Sequence, residues 1–103
     1  MVKITVLYPN TAGAKFDMEY YCQKHMGLVK RLLGPAVKGI SVDQGISGQA
    51  PGSPAPFIAV GQVLFDSLEA FQAALGPHAQ TIMGDIVNYT NLEPIVLMSE
   101  VKM

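Results

Sequence analysis

The chain holds one cysteine and no tryptophan in 103 residues. A lone thiol excludes any disulfide within the chain and fits a reducing compartment, so the expected address is the cytoplasm. Neither HExxH nor CxxC occurs, and the two histidines stand far apart, which removes the usual basis for a dedicated metal site. No GxGxxG or GxxxxGK[ST] is present to cradle a phosphate, and no GxSxG to present a serine. Charge is scarce as well: seven basic and eight acidic residues leave a formal −1. No block of like charge is available for nucleic acid or an anionic membrane, and neither is expected as a partner. The apolar run in "MVKITVLYP" is too short for a signal peptide, and no stretch is long enough to cross a bilayer.

Apolar residues, by contrast, make up half of the chain, and charged ones only 15%. A chain of this length is expected to form a single domain over residues 1–103, because two halves would each bury too little core. So apolar a composition on so small a body implies that more than one of its faces is covered.

The pattern along the chain gives the elements. "VKITVLY" at 2–8 is β-branched and reads as a strand, ended by "PNTAGAK". Asp17 is placed to cap a helix over 17–34, with Lys30 and Arg31 at its far end and Gly34-Pro35 as its stop. "AVKGISVDQGIS" and "FIAVGQVLF" read as two strands joined by a loop from Gln44 to Pro56, long enough to serve as a lid. Ser67 caps a second helix with Leu68, Phe71 and Leu75 on one face, broken at Gly76-Pro77. "HAQTIMGDIVNYTNLEP" then gives a short helical turn and a polar loop, and "IVLMSEV" a final strand.

This βαββαβ order predicts an α+β, ferredoxin-like fold: a four-stranded antiparallel sheet with two helices on one face. A sheet open to water on its other face should alternate apolar and polar residues. Here Phe57, Ala59, Val63 and Phe65 oppose Ile58, Val60 and Leu64, and Ile95 and Leu97 oppose Val96 and Met98, so both faces are apolar. The economical cover for the helix-free face is a second copy, giving a homodimer.

One residue in the first helix interrupts the pattern. At about 100° per residue, Met18, Tyr21, Cys22, Leu28, Val29 and Leu32 form a stripe, and His25 lies in its middle. Such a histidine is either a core residue satisfied by a carbonyl or a tyrosine, or an acid–base group bordering a cleft. Cys22 reads as a packing thiol, and Tyr20, turned away by more than about 100°, as a surface or interface aromatic. The segment "GDIVNYTN" crowds Asp85, Asn88, Tyr89, Thr90 and Asn91 before the last strand; Asn88 and Asn91 read as turn residues, while Asp85 is equally a turn residue or a binding group. Any chemistry is expected to be cofactor-free proton transfer, with His25 and Asp85 as catalytic residues and Tyr8, Tyr21 and Tyr89 against a small organic substrate.

The stretches "VLYP", "FDMEYYCQKHMGLVKRLLG" and "GDIVNYTNLEP" together resemble the ethyl tert-butyl ether degradation (EthD) family of the dimeric α+β barrel superfamily. That resemblance implies a protomer whose sheet packs on that of a second copy, with a cleft between sheet and helices and His25 at the family's helix histidine. Members are tied by context to degradative or biosynthetic oxidation pathways and carry reductase labels. The wider superfamily includes isomerases, cyclases and cofactor-free monooxygenases. Three readings therefore stand side by side: an enzyme of isomerase, cyclase or oxidoreductase type, a non-catalytic binding or accessory protein of an oxygenase pathway, and a dimeric scaffold.

Overall fold

The computed structural model describes all residues, 1–103. Strand β1 (Val2–Pro9) leads into a helix built of three continuous pieces: α1 (Met18–Tyr20), a π turn (Tyr21–His25) and α2 (Met26–Leu33). Strands β2 (Gly39–Gln44) and β3 (Phe57–Phe65) follow, then α3 (Leu68–Leu75), α4 (Ala79–Gly84) and β4 (Ile95–Glu100). The strands lie in the order β2-β3-β1-β4, each pair antiparallel. This is the split-βαβ, ferredoxin-like α+β fold expected from the element order.

The helix ends form where the sequence places them. The Asp17 carboxylate accepts from the Tyr20 backbone N–H at 3.0 Å, and Ser67 Oγ accepts from the Ala70 N–H at 3.0 Å, each satisfying a donor that the first turn leaves free. Gly34 takes φ of 59°, the left-handed geometry that ends a helix without Cβ strain.

Register decides which residues form the core. Val2, Ile4 and Tyr8 stand opposite Phe65, Val63 and Ala59, so β1 and β3 turn one row of side chains toward the helices. From above, Tyr21, Met26, Val29, Leu33, Phe71 and Ile82 close over that row. Leu68, expected on the inner face of α3, is instead exposed, and that face is carried by Phe71 with Ala74 and Leu75 half-buried.

The π turn corrects the reading of the first helix. Stepping back from the buried Leu33, Val29 and Met26 by threes and fours lands on Cys22. In the π turn, however, the Met26 N–H bonds to the Tyr21 carbonyl, five residues back, and the extra residue rotates the earlier turn. Tyr21 takes the inward position and Cys22 faces solvent, so its assignment as a packing thiol fails.

Beneath Tyr21 the sheet has a gap. Gly61 lies on β3 between Ala59 and Val63, and a Cβ there would collide with the Tyr21 hydroxyl and come within 2.9 Å of Met26 Cε. The glycine is therefore the floor on which the tyrosine rests. Gly61→Ala should cost about 1–3 kcal/mol in urea unfolding, as overpacked cores do. The pair Gly61→Ala with Tyr21→Phe, which removes the closest atom, should recover at least half of that loss; a purely additive double variant would contradict this contact.

On the other face Leu7, Val60 and Leu64 carry apolar side chains with no helix above them. Strand β4 at the edge exposes Ile95, Val96, Leu97 and Met98 at 49–54% each. The loop 45–56 is tied back at its ends: Gly45 N–H reaches the Ile58 carbonyl at 2.8 Å, and Asn10 Nδ2 donates to the Ala55 carbonyl at 2.9 Å. No helix is long and apolar enough to cross a membrane.

Candidate active site

Two segments far apart in sequence build the site. The first helix contributes Tyr20, Tyr21 and His25, and the turns after α4 contribute Asp85, Asn88 and Tyr89. Their alignment depends on the loop 11–16, which is stitched to the second segment: Thr90 Oγ1 donates to the Lys15 carbonyl at 2.6 Å, Asn91 Oδ1 accepts from the Lys15 N–H at 2.9 Å, and the Asp17 N–H donates to the Tyr89 carbonyl at 2.7 Å. Thr90 and Asn91 thus serve the backbone, as turn residues of this kind do.

Asp85 stands at the centre of the polar part. Oδ2 lies 3.0 Å from His25 Nδ1, while Oδ1 accepts from the Tyr20 hydroxyl at 2.7 Å and from Asn88 Nδ2 at 2.9 Å. Partial burial pushes the Asp85 carboxyl upward, but the three hydrogen bonds from Asn88, Tyr20 and His25 together outweigh it and hold the group below its ordinary range. It is therefore ionised at neutral pH and can only accept. That fixes the histidine tautomer: Nδ1 carries the proton and donates, leaving Nε2 with its lone pair in the neutral ring. Nε2 makes no hydrogen bond within the chain, yet no buried side-chain nitrogen or oxygen lacks a partner, so Nε2 reaches solvent although the side chain is only 7% exposed.

Around the histidine is a wall of rings. Tyr21 stacks on His25 with centroids 5.6 Å apart and planes 17° from parallel, and Tyr89 lies 4.8 Å away at 54°. Tyr8 and Tyr89 join hydroxyls at 2.6 Å, and Phe16 sits edge-on to both. Burial raises the Tyr8, Tyr21 and Tyr89 phenols above the ordinary tyrosine range, so all three are neutral hydroxyls. Tyr20 is raised too, chiefly because it donates to the Asp85 carboxylate.

All five residues expected at the site, Tyr8, Tyr21, His25, Asp85 and Tyr89, thus fall into one cluster. Tyr8, Tyr21 and Tyr89 are at most 3% exposed, and their rings occupy the space between sheet and helix where a cleft was expected. The open space lies on the outer side instead: a groove of about 470 Å³ between the first helix and the 84–88 segment, with Tyr20 and Asp85 in its wall. Tyr20, read as a surface or interface aromatic, is half-exposed in that wall and also donates its hydroxyl to Asp85. A uniform 100° wheel turns it away from His25, but Asp85 approaches the helix from the side, and a phenol at residue 20 reaches it.

Fold and site together define a class: ferredoxin-like α+β proteins carrying a helix histidine against an acidic turn that precedes the last strand. An EthD domain model matches residues 11–93. An EthD-like protein from Ralstonia eutropha JMP134 is 44% identical, with a TM-score of 0.94 over 99% of this chain and 92% of that one. The chain belongs to the EthD family. An ethyl tert-butyl ether degradation (EthD) family protein from Bacillus halodurans C-125 is 21% identical, with a TM-score of 0.74 over 98% of each chain. A hydroxynitrile lyase from Passiflora edulis shares the fold at 16% identity, with a TM-score of 0.69 over 98% of this chain and 93% of that one. Among curated proteins, none matches the sequence significantly.

The lowered pKa of the Asp85 carboxyl carries a stability consequence. A carboxyl whose folded value lies below its ordinary 3.8 favours the fold above that pH, and the contribution is lost as pH falls through the depressed value. Urea midpoints at pH 7 and about pH 3 should therefore differ less for Asp85→Asn than for the native chain. An unchanged acid arm would show that the carboxylate is not held as the geometry indicates.

Proposed function

We propose that the chain binds a small organic metabolite beside His25 and acts on it by cofactor-free general acid–base catalysis. The supporting observation is the asymmetry of the imidazole: Nδ1 is held by the Asp85 carboxylate, while Nε2 makes no hydrogen bond within the chain and is not fully buried. Asp85 orients the ring and stabilises the imidazolium that forms when Nε2 takes a proton; Tyr20 and Asn88 hold Asp85 in place. Tyr20 and Leu28 in the groove wall favour a substrate with an apolar body and one acidic C–H or O–H, such as a carbonyl compound or a phenol. A lyase of the same fold, from Passiflora edulis, is consistent with a reacting site on this architecture.

Deuterium incorporation next to the carbonyl in a panel of small ketones and lactones tests the reading. His25→Gln should lower exchange by about 100-fold or more while the circular dichroism stays native. Undiminished exchange in that folded variant would sink it. A ligand that raises the melting temperature without any exchange would favour the non-catalytic binding role instead.

The same proposal includes a homodimer through the helix-free sheet face. Leu97 and Ile95 lie on that face at 54% exposure each, beside Leu7, Val60 and Leu64. Because a two-fold interface counts each residue twice, Leu97→Asp should weaken association roughly 100-fold or more in sedimentation equilibrium. A variant that sediments like the native chain would place the interface elsewhere.

A further inference from the structure

We infer that the groove beside Asp85 binds a small organic carboxylate, anchored by Arg31 with Lys24 assisting. The inference deepens the acid–base reading and rests on it for what happens at the ligand's other end. The groove is lined along the first helix by Tyr20, Lys24, Leu28 and Arg31, with Asp85 across from them. Its volume of about 470 Å³ lies within the range of sites for small molecules.

Charge selects the ligand. The ion pairs of the chain are His25–Asp85, Lys38–Asp66 and Lys102–Glu100, so Lys24 and Arg31 both line the groove without a carboxylate partner. Asp85, the one acid in the groove, already accepts three hydrogen bonds. Lys24 lies 5.5 Å over the Tyr20 ring and also borders a smaller depression that contains Asp17 and Glu19. Arg31 has no such neighbours in the groove and is the stronger anchor.

Geometry selects the carboxylate. The two cations stand seven positions apart, about 10 Å along the helix, so one anion between them is within reach of both long side chains. A guanidinium presents paired donors that match the two oxygens of a carboxylate. Leu28 and the Tyr20 ring offer the body of the ligand an apolar bed. A ligand held this way extends from Arg31 toward Asp85, whose Oδ2 lies 3.0 Å from His25 Nδ1.

Amide chemical shifts of the native chain titrated with benzoate, and with benzamide as the neutral analogue, test the inference. Benzoate should shift resonances of residues 20–31 and Asp85, and Arg31→Gln should weaken its binding about tenfold. Lys24→Gln should weaken it less. The deuterium-exchange test of His25→Gln reads the acid–base proposal separately from this titration of the native chain, so either idea can fail alone. Equal binding of benzamide, an unaltered titration in folded Arg31→Gln, or displacement of benzoate by inorganic phosphate at equal concentration would each overturn the carboxylate assignment.

Discussion

A single carboxylate accepts from three side chains on two separate segments, and the rest of the site depends on that convergence. Asp85 draws Tyr20 and His25 of the first helix and Asn88 of its own turn to one point. An ionised group this close to an aromatic core is stable only when its oxygens are satisfied, since desolvation otherwise neutralises it. Tyr20, His25 and Asn88 supply the donors, and in return the carboxylate orders them. The histidine tautomer, the tilt of the Tyr20 ring and the position of the 84–88 turn are thus one problem with one solution. Hydrogen bonds to a charged acceptor are among the stronger ones, which gives the arrangement rigidity on a segment that otherwise has only short helical turns.

The aromatic wall has a different origin. Six rings, Tyr8, Phe16, Tyr20, Tyr21, His25 and Tyr89, meet with centroids 4.8–6.1 Å apart, mostly edge-on or tilted. Such pairs add to the burial of the rings themselves. Their hydroxyls need partners: Tyr8 and Tyr89 find each other, and Tyr20 finds Asp85. Close packing of so many rings needs room somewhere below, and Gly61 provides it by leaving out a side chain under Tyr21. The glycine in "FIAVGQVLF" is thus explained by sterics across the layers; it lies inside an intact strand whose pairing continues through it.

How much of this could be read from the sequence varies with the range of the interaction. The caps at Asp17 and Ser67, the stop at Gly34 and the four-stranded antiparallel sheet follow from local chemistry and element order, and the structure agrees with them. His25 stood out because it broke an apolar stripe, and Asp85 because it sat in a polar cluster, but nothing in either segment stated that they meet. Cys22 falls on the expected stripe because a wheel of 100° per residue assumes an unbroken α-helix, and the π turn shifts the phase between residues 21 and 26; Tyr20 gains its role because Asp85 reaches the helix from the side. No local signal in "YYCQKH" announces that turn. Asn88 was read as a turn residue and does bond three residues back, yet the same bond secures the site.

The π turn is also what lets a polar group and a packed core share one helix. In an unbroken α-helix, adjacent residues such as 25 and 26 point about 100° apart, toward different neighbours. Here both are buried, His25 at 6% and Met26 at 6% exposure, with Tyr21 at 1% one turn earlier. The widened turn places Met26 over the sheet at Gly61 while His25 swings toward the 84–88 segment and Asp85. A π turn has poorer geometry than an α turn and persists where surrounding contacts determine it. Tyr21 on its glycine floor holds one side and the Asp85 carboxylate holds the other. The helix therefore gives up regularity at the place where it gains a histidine with one nitrogen held and the other open.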